Sequence, residues 1–195
     1  MIDQGPVATA GATARERILS TAYALFAHRG FRDVSIDLII SESGIARATL
    51  YRNFRSKEEL ALAFLARREE LWTLAAIEAE ARRRGSTAVE QLMAIFDIFD
   101  EWFREADFEA CSFINVLLEL GPDHALGQAS IRHLRNIRTM IEQLATEAGI
   151  EDPAEFAKSW HLLMKGSIIA AVEGDVDAAR RASAMAGALI AGRRG

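Results

Sequence analysis

The sequence predicts an all-α protein of about nine helices, in which a three-helix N-terminal region is joined by a long helix to a larger helical region. Two features of the 195 residues lead to this fold class. Apolar residues recur at three- and four-residue spacing along most of the chain, the period of a helix with one buried face, and no segment shows the alternation typical of a strand. The periodic segments begin near Ser, Thr or Asp and end near glycine, which are frequent helix boundaries.

The first helix follows an N-terminal tail. Residues 1–12 are small and polar, and we expect them to be disordered. Thr13 and Glu16 then have the spacing of a capping box, and the helix that they open stops at Gly30.

Two short helices separated by a glycine turn come next. Ser35 can cap the first of them, Gly44 turns the chain, and the second covers about 47–54. Ser56 opens a long helix that ends at Gly85. Two short helices around a turn are the outline of a helix-turn-helix DNA reader, in which the second helix enters the major groove.

Beyond residue 85 the same signals predict five further helices. Their expected starts are Thr87, about residue 107, about residue 126, Asp152 and Asp175. The helix of about 107–120 is apolar on nearly every side, as expected of a helix buried inside a larger body.

The charge of the chain is unevenly distributed. The formal net charge is −5, but residues 1–60 carry +1 and residues 61–195 carry −6. Within residues 46–57 there are four basic side chains and no acidic one. The four are Arg47, Arg52, Arg55 and Lys57. Because DNA affinity depends on the charges that face the duplex, this stretch is suited to phosphate contact, although a solvated basic face would have the same composition.

Several other classes of protein are disfavoured. The longest apolar stretches are far short of the roughly 20 residues that span a bilayer, and no signal peptide is recognisable, so we expect a cytoplasmic protein. The single cysteine, Cys111, is interpreted as a core residue, with redox sensing as the alternative. The four histidines lack metal-ligand spacing, and no phosphate loop or nucleophile motif occurs. We therefore expect no enzyme, no cofactor and no metal site.

About 50 residues of the N-terminal region carry uncommon residue types at a fixed spacing. They include Gly30-Phe31, Gly44-Ile45, Thr49-Leu-Tyr51, Phe54 and Ser56-Lys57-Glu-Glu-Leu60. This stretch resembles the TetR family of transcriptional repressors. The resemblance implies a helix-turn-helix DNA-binding domain in residues 13–60, with its motif at about 36–55. It also implies a ligand-binding and dimerisation domain in residues 61–195.

The resemblance also implies which residues contact DNA. Tyr51 and Lys57 would contact phosphates, and Ser35 would cap the helix before the turn and touch the backbone. Tyr51 and Phe54 have core packing as their alternative role, which we favour for Phe54 and not for Tyr51. The predicted DNA-binding set is Ser35, Arg47, Thr49, Tyr51, Arg52, Asn53 and Lys57.

Three positions depart from the family pattern. Ile40 stands where a small alanine is usual, so the two helices of the motif are expected to cross more openly. Ala46 stands where a capping serine is common, which removes a cap worth about 1 kcal/mol. Leu38 replaces a polar residue without an evident electrostatic meaning.

The candidate ligand site combines aromatic side chains with a few polar ones. Cys111, Asn115 and Glu119 fall on one stripe of the predicted 107–120 helix. This stripe is either a solvent-facing edge or a set of polar groups turned into a cavity. The predicted ligand-binding set is Phe99, Trp102, Phe103, Asn115, Glu119, Trp160, His161 and Met164.

The last two helices are rich in small residues, which allow helices to approach closely. The resemblance implies that this pair packs against its copy as a four-helix bundle, and packing within one chain is the alternative. A two-fold dimer doubles the DNA site that one motif reads. The predicted dimer set is Leu163, Ser167, Ala171, Ala182, Met185, Ala186, Leu189 and Ile190.

The resulting interpretation is a homodimeric repressor that binds a palindromic operator in double-stranded DNA and is released by a small-molecule effector. Two alternatives remain open. One is a transcriptional activator of the same fold, and the other is a helix-turn-helix protein-interaction module that does not bind DNA.

Overall fold

The computed structural model describes residues 12–193, and this part of the chain is helical without any strand. Its helices are α1 (Ala14–Arg29), α2 (Ile36–Ser43), α3 (Arg47–Asn53), α4 (Lys57–Arg68), α5 (Glu80–Arg84), α6 (Ala88–Trp102), α7 (Ser112–Leu120), α8 (Ala125–Glu147), α9 (Pro153–Val172) and α10 (Ala178–Ala191). A π-helical segment, Glu69–Ala79, joins α4 to α5. The all-α prediction is confirmed, and within residues 12–193 the count is nine if α4, the π segment and α5 are taken as one helix. Apart from residue 12, the tail predicted for residues 1–12 lies outside the described residues.

Short polar side chains start the helices at the predicted positions. The hydroxyl oxygen of Thr13 accepts a hydrogen bond from the N–H of Glu16 at 3.2 Å. Ser35 accepts one from the N–H of Leu38 at 3.0 Å, and Ser56 accepts one from the N–H of Glu59 at 3.0 Å. These side chains satisfy amides that have no partner inside the helix.

The turn between α2 and α3 depends on Gly44. Its φ of 63° lies in the left-handed region, where a residue with a Cβ is disfavoured, and its N–H donates to the carbonyl oxygen of Ile40 at 3.1 Å. The glycine therefore ends α2 and reverses the chain into α3.

Two predicted helix starts are wrong. The helix expected from about residue 107 begins at Ser112. In the segment before it, Phe103 and Phe108 pack against each other at 5.2 Å between ring centroids, and both contact the ring of Trp102. This aromatic contact accompanies a non-helical course of residues 103–111, with turns over 103–107 and irregular chain over 108–111.

The last helix also begins later than expected, at Ala178. Asp175 does not cap it. Its carboxylate accepts a hydrogen bond from the N–H of Asp177 at 3.1 Å, which forms a turn ahead of the helix.

The described chain packs as two compact units. The N-terminal unit comprises residues 12–69 and 111–132, and the C-terminal unit comprises residues 70–110 and 133–193. This division does not follow the predicted domain boundary between residues 60 and 61. Residues 61–68 of α4 belong to the same unit as α1, because the ring of Phe64 packs on Tyr23 and Phe26, at 5.2 and 5.6 Å between centroids. Val116 of α7 lines the same apolar cluster as Phe64, so α7 belongs to this unit as well.

The C-terminal unit is built on α6, α9 and α10, and α5 also packs against α6. Ion pairs fix the ends of these helices. Arg84 makes two hydrogen bonds to the carboxylate of Glu101, at 2.6 and 2.7 Å, and Arg104 links Asp100 to Asp177. None of the helices within residues 12–193 is both long and apolar enough to cross a membrane.

Candidate nucleic-acid interface and ligand site

Two buried side chains determine which face of α3 is exposed. Leu50 and Phe54 are almost completely buried, and they stand one helical turn apart on the same side. They pack into a core that also contains the buried side chain of Ile39 from α2. The opposite face of α3 is therefore turned outwards.

The helix α3 exposes three of the seven predicted DNA-binding residues. Arg47 and Arg52 are exposed, and the aromatic side chain of Tyr51 is 43% exposed. Phe54 lies in the core, as expected. A tyrosine exposed beside two arginines offers a hydroxyl and two guanidinium groups to a surface that is rich in phosphate.

Arg47 is paired with an acidic residue across the turn. Its guanidinium group forms an ion pair with the carboxylate of Asp37 in the first turn of α2, and both side chains are more than half exposed. The pair orients Arg47 in the free protein. A base edge or a phosphate would compete with Asp37 for the guanidinium group.

Two predicted contacts are oriented by the protein itself. The side-chain amide of Asn53 donates to the carbonyl oxygen of Thr49 at 2.8 Å, so it is turned back along its own helix. Thr49 and Asn53 are both half-buried. Ser35 is exposed, and although its hydroxyl oxygen caps α2, a hydroxyl keeps its own proton to donate.

Lys57 is positioned by the turn that follows α1. Its ammonium nitrogen lies 4.1 Å from the centroid of the Phe31 ring and 3.5 Å from the carbonyl oxygen of Arg32. Partial burial lowers the pKa of Lys57, and the nearby carboxylates of Glu119 and Asp33 oppose this shift. The lysine predicted to bind phosphate is thus held at the start of α4 by a cation–π contact.

Contacts between α1 and α4 were not predicted from the sequence. Arg67 makes two hydrogen bonds to the carboxylate of Glu16, at 2.7 and 3.1 Å, and these lower the pKa of Glu16. Next to it, the buried Arg68 donates to the hydroxyl oxygen of Tyr23 at 2.8 Å. The capping box at Thr13 is consequently incomplete, because the carboxylate of Glu16 is held by Arg67. Nothing in the local pattern signals these contacts, since the partners are 45 or more residues apart.

The polar residues predicted for the ligand site lie in the N-terminal unit. Asn115 is exposed on α7. The carboxylate of Glu119 accepts hydrogen bonds from the backbone N–H groups of Phe31 and Arg32, at 3.0 and 2.6 Å. The structure thus gives Glu119 a partner in the turn after α1, which corrects its interpretation as a polar group turned into a cavity.

The other six predicted ligand residues form one buried cluster in the C-terminal unit. All are at most 4% exposed: Phe99, Trp102, Phe103, Trp160, His161 and Met164. Phe96 connects the two halves of this cluster, because its ring lies 6.2 Å from Phe99 and 5.2 Å from Trp160. Trp72, from the π-helical segment, packs on Trp102 at 4.2 Å between centroids.

Polar atoms are enclosed in this aromatic cluster. Within the described residues, Nε1 of Trp102, Nε1 of Trp160 and Nδ1 of His161 are buried without a hydrogen-bonding partner, and so is the hydroxyl of Thr73. Each such group costs about 1–3 kcal/mol when it is left unsatisfied. Burial, followed by the positive charges of Lys165 and Arg138, lowers the pKa of His161 to about 3, so its imidazole is neutral at neutral pH.

The predicted dimer residues divide by burial. Five of the eight are buried within the chain: Ser167, Ala171, Ala182, Ala186 and Ile190. Packing within the chain accounts for them. Leu163 and Leu189 are half-buried, whereas Met185 is 60% exposed.

A groove of about 280 Å³ lies between α9 and α10. Leu162, which is 67% exposed, lines it together with Leu163, Gly166 and Met185. Further along the same two helices and their connection, Ile169, Val172 and Val176 are also exposed. The sequence prediction did not include these four outer residues, Leu162, Ile169, Val172 and Val176.

Comparisons with known proteins agree with this geometry. Residues 18–64 match the family model described as "Bacterial regulatory proteins, tetR family". An uncharacterized HTH-type transcriptional regulator, YerO of Bacillus subtilis, is 46% identical over 48 residues, which are 25% of this chain and 17% of that protein. The HTH-type transcriptional regulator YjdC of Escherichia coli is 23% identical over 175 residues, covering 86% of this chain and 90% of the relative.

Solved structures share the fold over nearly the whole chain. SCO4454, a TetR-family transcriptional regulator from Streptomyces coelicolor, superposes with a TM-score of 0.84 at 26% identity, covering 92% of this chain and 95% of the other. The reduced form of NemR from E. coli gives a TM-score of 0.79 at 18% identity, covering 91% and 97%.

Proposed function

Because the chain belongs to the TetR family of helix-turn-helix transcriptional regulators, we propose that it is a dimeric repressor that leaves a palindromic operator when a small-molecule effector binds. The observation that carries this proposal is the arrangement of α3. Leu50 and Phe54 are buried, and Arg47, Tyr51 and Arg52 are exposed. This arrangement supports a role for α3 as a recognition helix that enters a major groove.

The charges of the chain favour DNA over a protein partner for this face. Residues 46–57 contain four basic side chains and no acidic one in a chain of net charge −5. Arginine reads guanine through two hydrogen bonds, and tyrosine and lysine hold register through phosphates. A protein-interaction module without DNA binding would not need basic residues concentrated at the recognition helix. An operator-binding protein acts where the chromosome is, which in bacteria is the cytoplasm.

We propose a homodimer because one helix-turn-helix domain contacts only a short stretch of DNA. One helix-turn-helix reads only a few base pairs, and a two-fold dimer places two recognition helices in successive major grooves, roughly 34–36 Å apart. The exposed apolar residues along α9 and α10 supply a surface for such a dimer. Leu162 and Met185 are the most exposed of those that line the groove.

The effector site is proposed in the aromatic cluster of the C-terminal unit. The enclosed indole N–H groups of Trp102 and Trp160 and the neutral imidazole of His161 are donors and acceptors in an apolar surrounding. A small molecule that satisfies them would gain hydrogen bonds that the free protein lacks. Such a ligand changes DNA binding only if it prefers one conformation of the dimer to another.

We propose no catalytic role. This part of the proposal rests on the family match and on the exposed residues of α3.

Selection of bound fragments from random DNA by the purified protein tests the function. At about 150 mM salt, the recovered sequences should contain a palindrome whose half-sites are about one helical turn apart. Recovery without sequence preference would refute the repressor proposal. Placing the recovered palindrome upstream of a reporter then decides between repression and activation.

Single substitutions test the proposed DNA contacts. We expect Arg47→Ala to weaken binding to that palindrome by about tenfold to a hundredfold, since a bidentate base contact is worth about 1–3 kcal/mol. Tyr51→Phe should weaken it less, through the loss of one hydrogen bond to phosphate. Arg83→Ala is the matched control, because it removes an exposed arginine from α5 in the C-terminal unit. Unchanged affinity in Arg47→Ala and Tyr51→Phe would refute the contacts but not the fold.

A further inference from the structure

Glu119 links α7 to the turn that follows α1. It stands in the last turn of α7, and its two carboxylate oxygens accept hydrogen bonds from consecutive backbone N–H groups, those of Phe31 and Arg32. The two donors are 88 and 87 residues away in the sequence. Hydrogen bonds to a carboxylate are shorter and roughly twice as strong as neutral ones.

The turn after α1 is shaped to receive this carboxylate. Successive N–H groups that converge on one point form a concavity that binds anions. Gly30 opens the concavity with a φ of 76°, and a Cβ at this position would stand 3.2 Å from one oxygen of Glu119. The glycine therefore provides both the backbone conformation and the space that the carboxylate occupies.

The same turn contacts the start of α4 and the segment after α7. Lys57 packs on the ring of Phe31 and reaches the carbonyl oxygen of Arg32. His124 lies 6.2 Å from the Phe31 ring, measured between centroids, and its Nε2 is 4.0 Å from a carboxylate oxygen of Glu58. All of these contacts lie inside the N-terminal unit.

This turn leads directly into the helix-turn-helix. Residues 30–35 connect α1 to α2, and α2 leads through Gly44 to α3. Both α2 and α3 pack against α1, so a shift of the turn relative to α1 changes how these two helices are placed.

We propose that Glu119 is a positioning residue for DNA reading: by holding the turn after α1, it keeps α3 in the orientation that fits the operator and makes DNA affinity sensitive to the position of α7. The inference rests on the proposed DNA-binding function.

The physical basis is the short range of a hydrogen bond. An N–H···O contact weakens steeply once the heavy atoms separate beyond about 3.5 Å. The two bonds of Glu119 measure 3.0 and 2.6 Å, so a displacement of α7 by about 1 Å is enough to break them.

The test compares Glu119→Ala and Glu119→Gln with wild type for affinity towards the palindrome that wild type selects. We expect Glu119→Ala to weaken operator binding by about tenfold. The affinity of Glu119→Gln should lie between those of wild type and Glu119→Ala, because its amide oxygen can still accept a hydrogen bond from one of the two N–H groups. Electrostatics predict the opposite sign, since removing a negative charge from a DNA-binding unit favours DNA. Glu151→Gln, an exposed glutamate of the C-terminal unit, is the charge-matched control and should bind like wild type.

Hydrogen exchange provides the second measurement. The amides of Phe31 and Arg32 should exchange faster in Glu119→Ala than in wild type, while the amides of Ile39 and Leu50 keep their protection. If Glu119→Ala does not fold, the same two measurements on Glu119→Gln decide the question.

The outcomes separate this inference from the proposed function. If wild type selects a palindrome and the Glu119 variants bind it equally well, the positioning role is refuted and the repressor proposal stands. If wild type shows no sequence preference, both fail. Unchanged exchange at Phe31 and Arg32 would refute the contact itself.

Discussion

His161 is a buried titratable side chain, and its burial makes the stability of the protein dependent on pH. Its pKa is lowered to about 3, mainly by burial, whereas an unfolded chain has a histidine pKa of about 6.5. Below pH 6.5 the unfolded chain takes up a proton that the folded chain refuses. Stability therefore falls as the pH drops from 6.5 towards 3, and it is unaffected by this group above 6.5.

We expect the unfolding free energy to fall by about 2 kcal/mol between pH 7.5 and pH 5 because of His161. Urea unfolding of wild type and His161→Phe at a series of pH values measures this, because the variant lacks the titrating group. As the pH falls, the unfolding free energy of wild type should decrease relative to that of His161→Phe. His28→Gln, which removes an exposed histidine, serves as the control. Parallel curves for wild type and His161→Phe would contradict the prediction.

Asp37 controls the charge of the recognition helix through its ion pair with Arg47. Asp37→Asn frees the guanidinium group and removes a negative charge from the proposed DNA-binding surface. We expect affinity for random DNA to rise by about fivefold to tenfold and the preference for the operator to fall, because freed charge binds phosphate without reading sequence. Salt titrations of binding to both DNAs measure the effect. Glu42→Gln removes an exposed acid from the same helix and is the control. An identical result for both variants would show that Asp37 acts through its charge alone and not through its ion pair with Arg47.

Individual residue roles could be predicted where helical spacing decides them. Phe54 is buried and Tyr51 is exposed because positions 50 and 54 share one side of α3 and position 51 does not. Glu119 could not be assigned in this way. Its spacing with Cys111 and Asn115 identifies a stripe, but the partner of Glu119 is a turn almost 90 residues earlier, and only the tertiary fold brings the two together.

Among the helices, α3 lacks a capping side chain at its start. Ala46 occupies the cap position, and no side chain accepts a hydrogen bond there. Ala46→Ser should add a cap and raise the unfolding free energy by about 1 kcal/mol. Thermal or urea unfolding measures this. Ala66→Ser in the last turn of α4, where the chain continues into the π-helical segment, is the control, and we expect it to be neutral or slightly destabilising, because serine is a poorer helix former than alanine. Equal effects at both positions would refute a capping role.

The helices that could be predicted are those whose ends are determined locally. Thr87 shows this, because its hydroxyl accepts from the N–H of Glu90 while the carboxylate of Glu90 accepts from the N–H of Thr87, a reciprocal pair readable from four residues. The start of α7 was missed because the contact between Phe103 and Phe108 overrides helical spacing in residues 103–111. The π-helical register of Glu69–Ala79 was also missed, since π and α segments share the same apolar composition.

At the scale of the whole molecule, α9 and α10 carry an apolar surface that is exposed to solvent in the single chain. Leu162, Ile169, Val172 and Met185 are each at least 43% exposed, in a protein whose other large apolar residues are mostly buried. Small residues such as Gly166 and Ala170 line the groove between the two helices, so a second pair of helices can approach closely. A contiguous apolar face of this kind marks an interaction site, and the proposed partner is a second copy of the chain.

Leu162→Glu tests the dimer and its contribution to DNA reading together. Across a two-fold axis each copy of a residue meets the same surface, so this substitution places a charge in both halves of an apolar interface. We expect wild type to sediment as a dimer at micromolar concentration and Leu162→Glu as a monomer, with operator affinity reduced by more than about tenfold because a monomer engages one half-site. Leu118→Glu is the matched control, since Leu118 is 76% exposed on α7 in the other unit, and it should remain dimeric. A Leu162→Glu protein that sediments as a dimer would place the interface elsewhere.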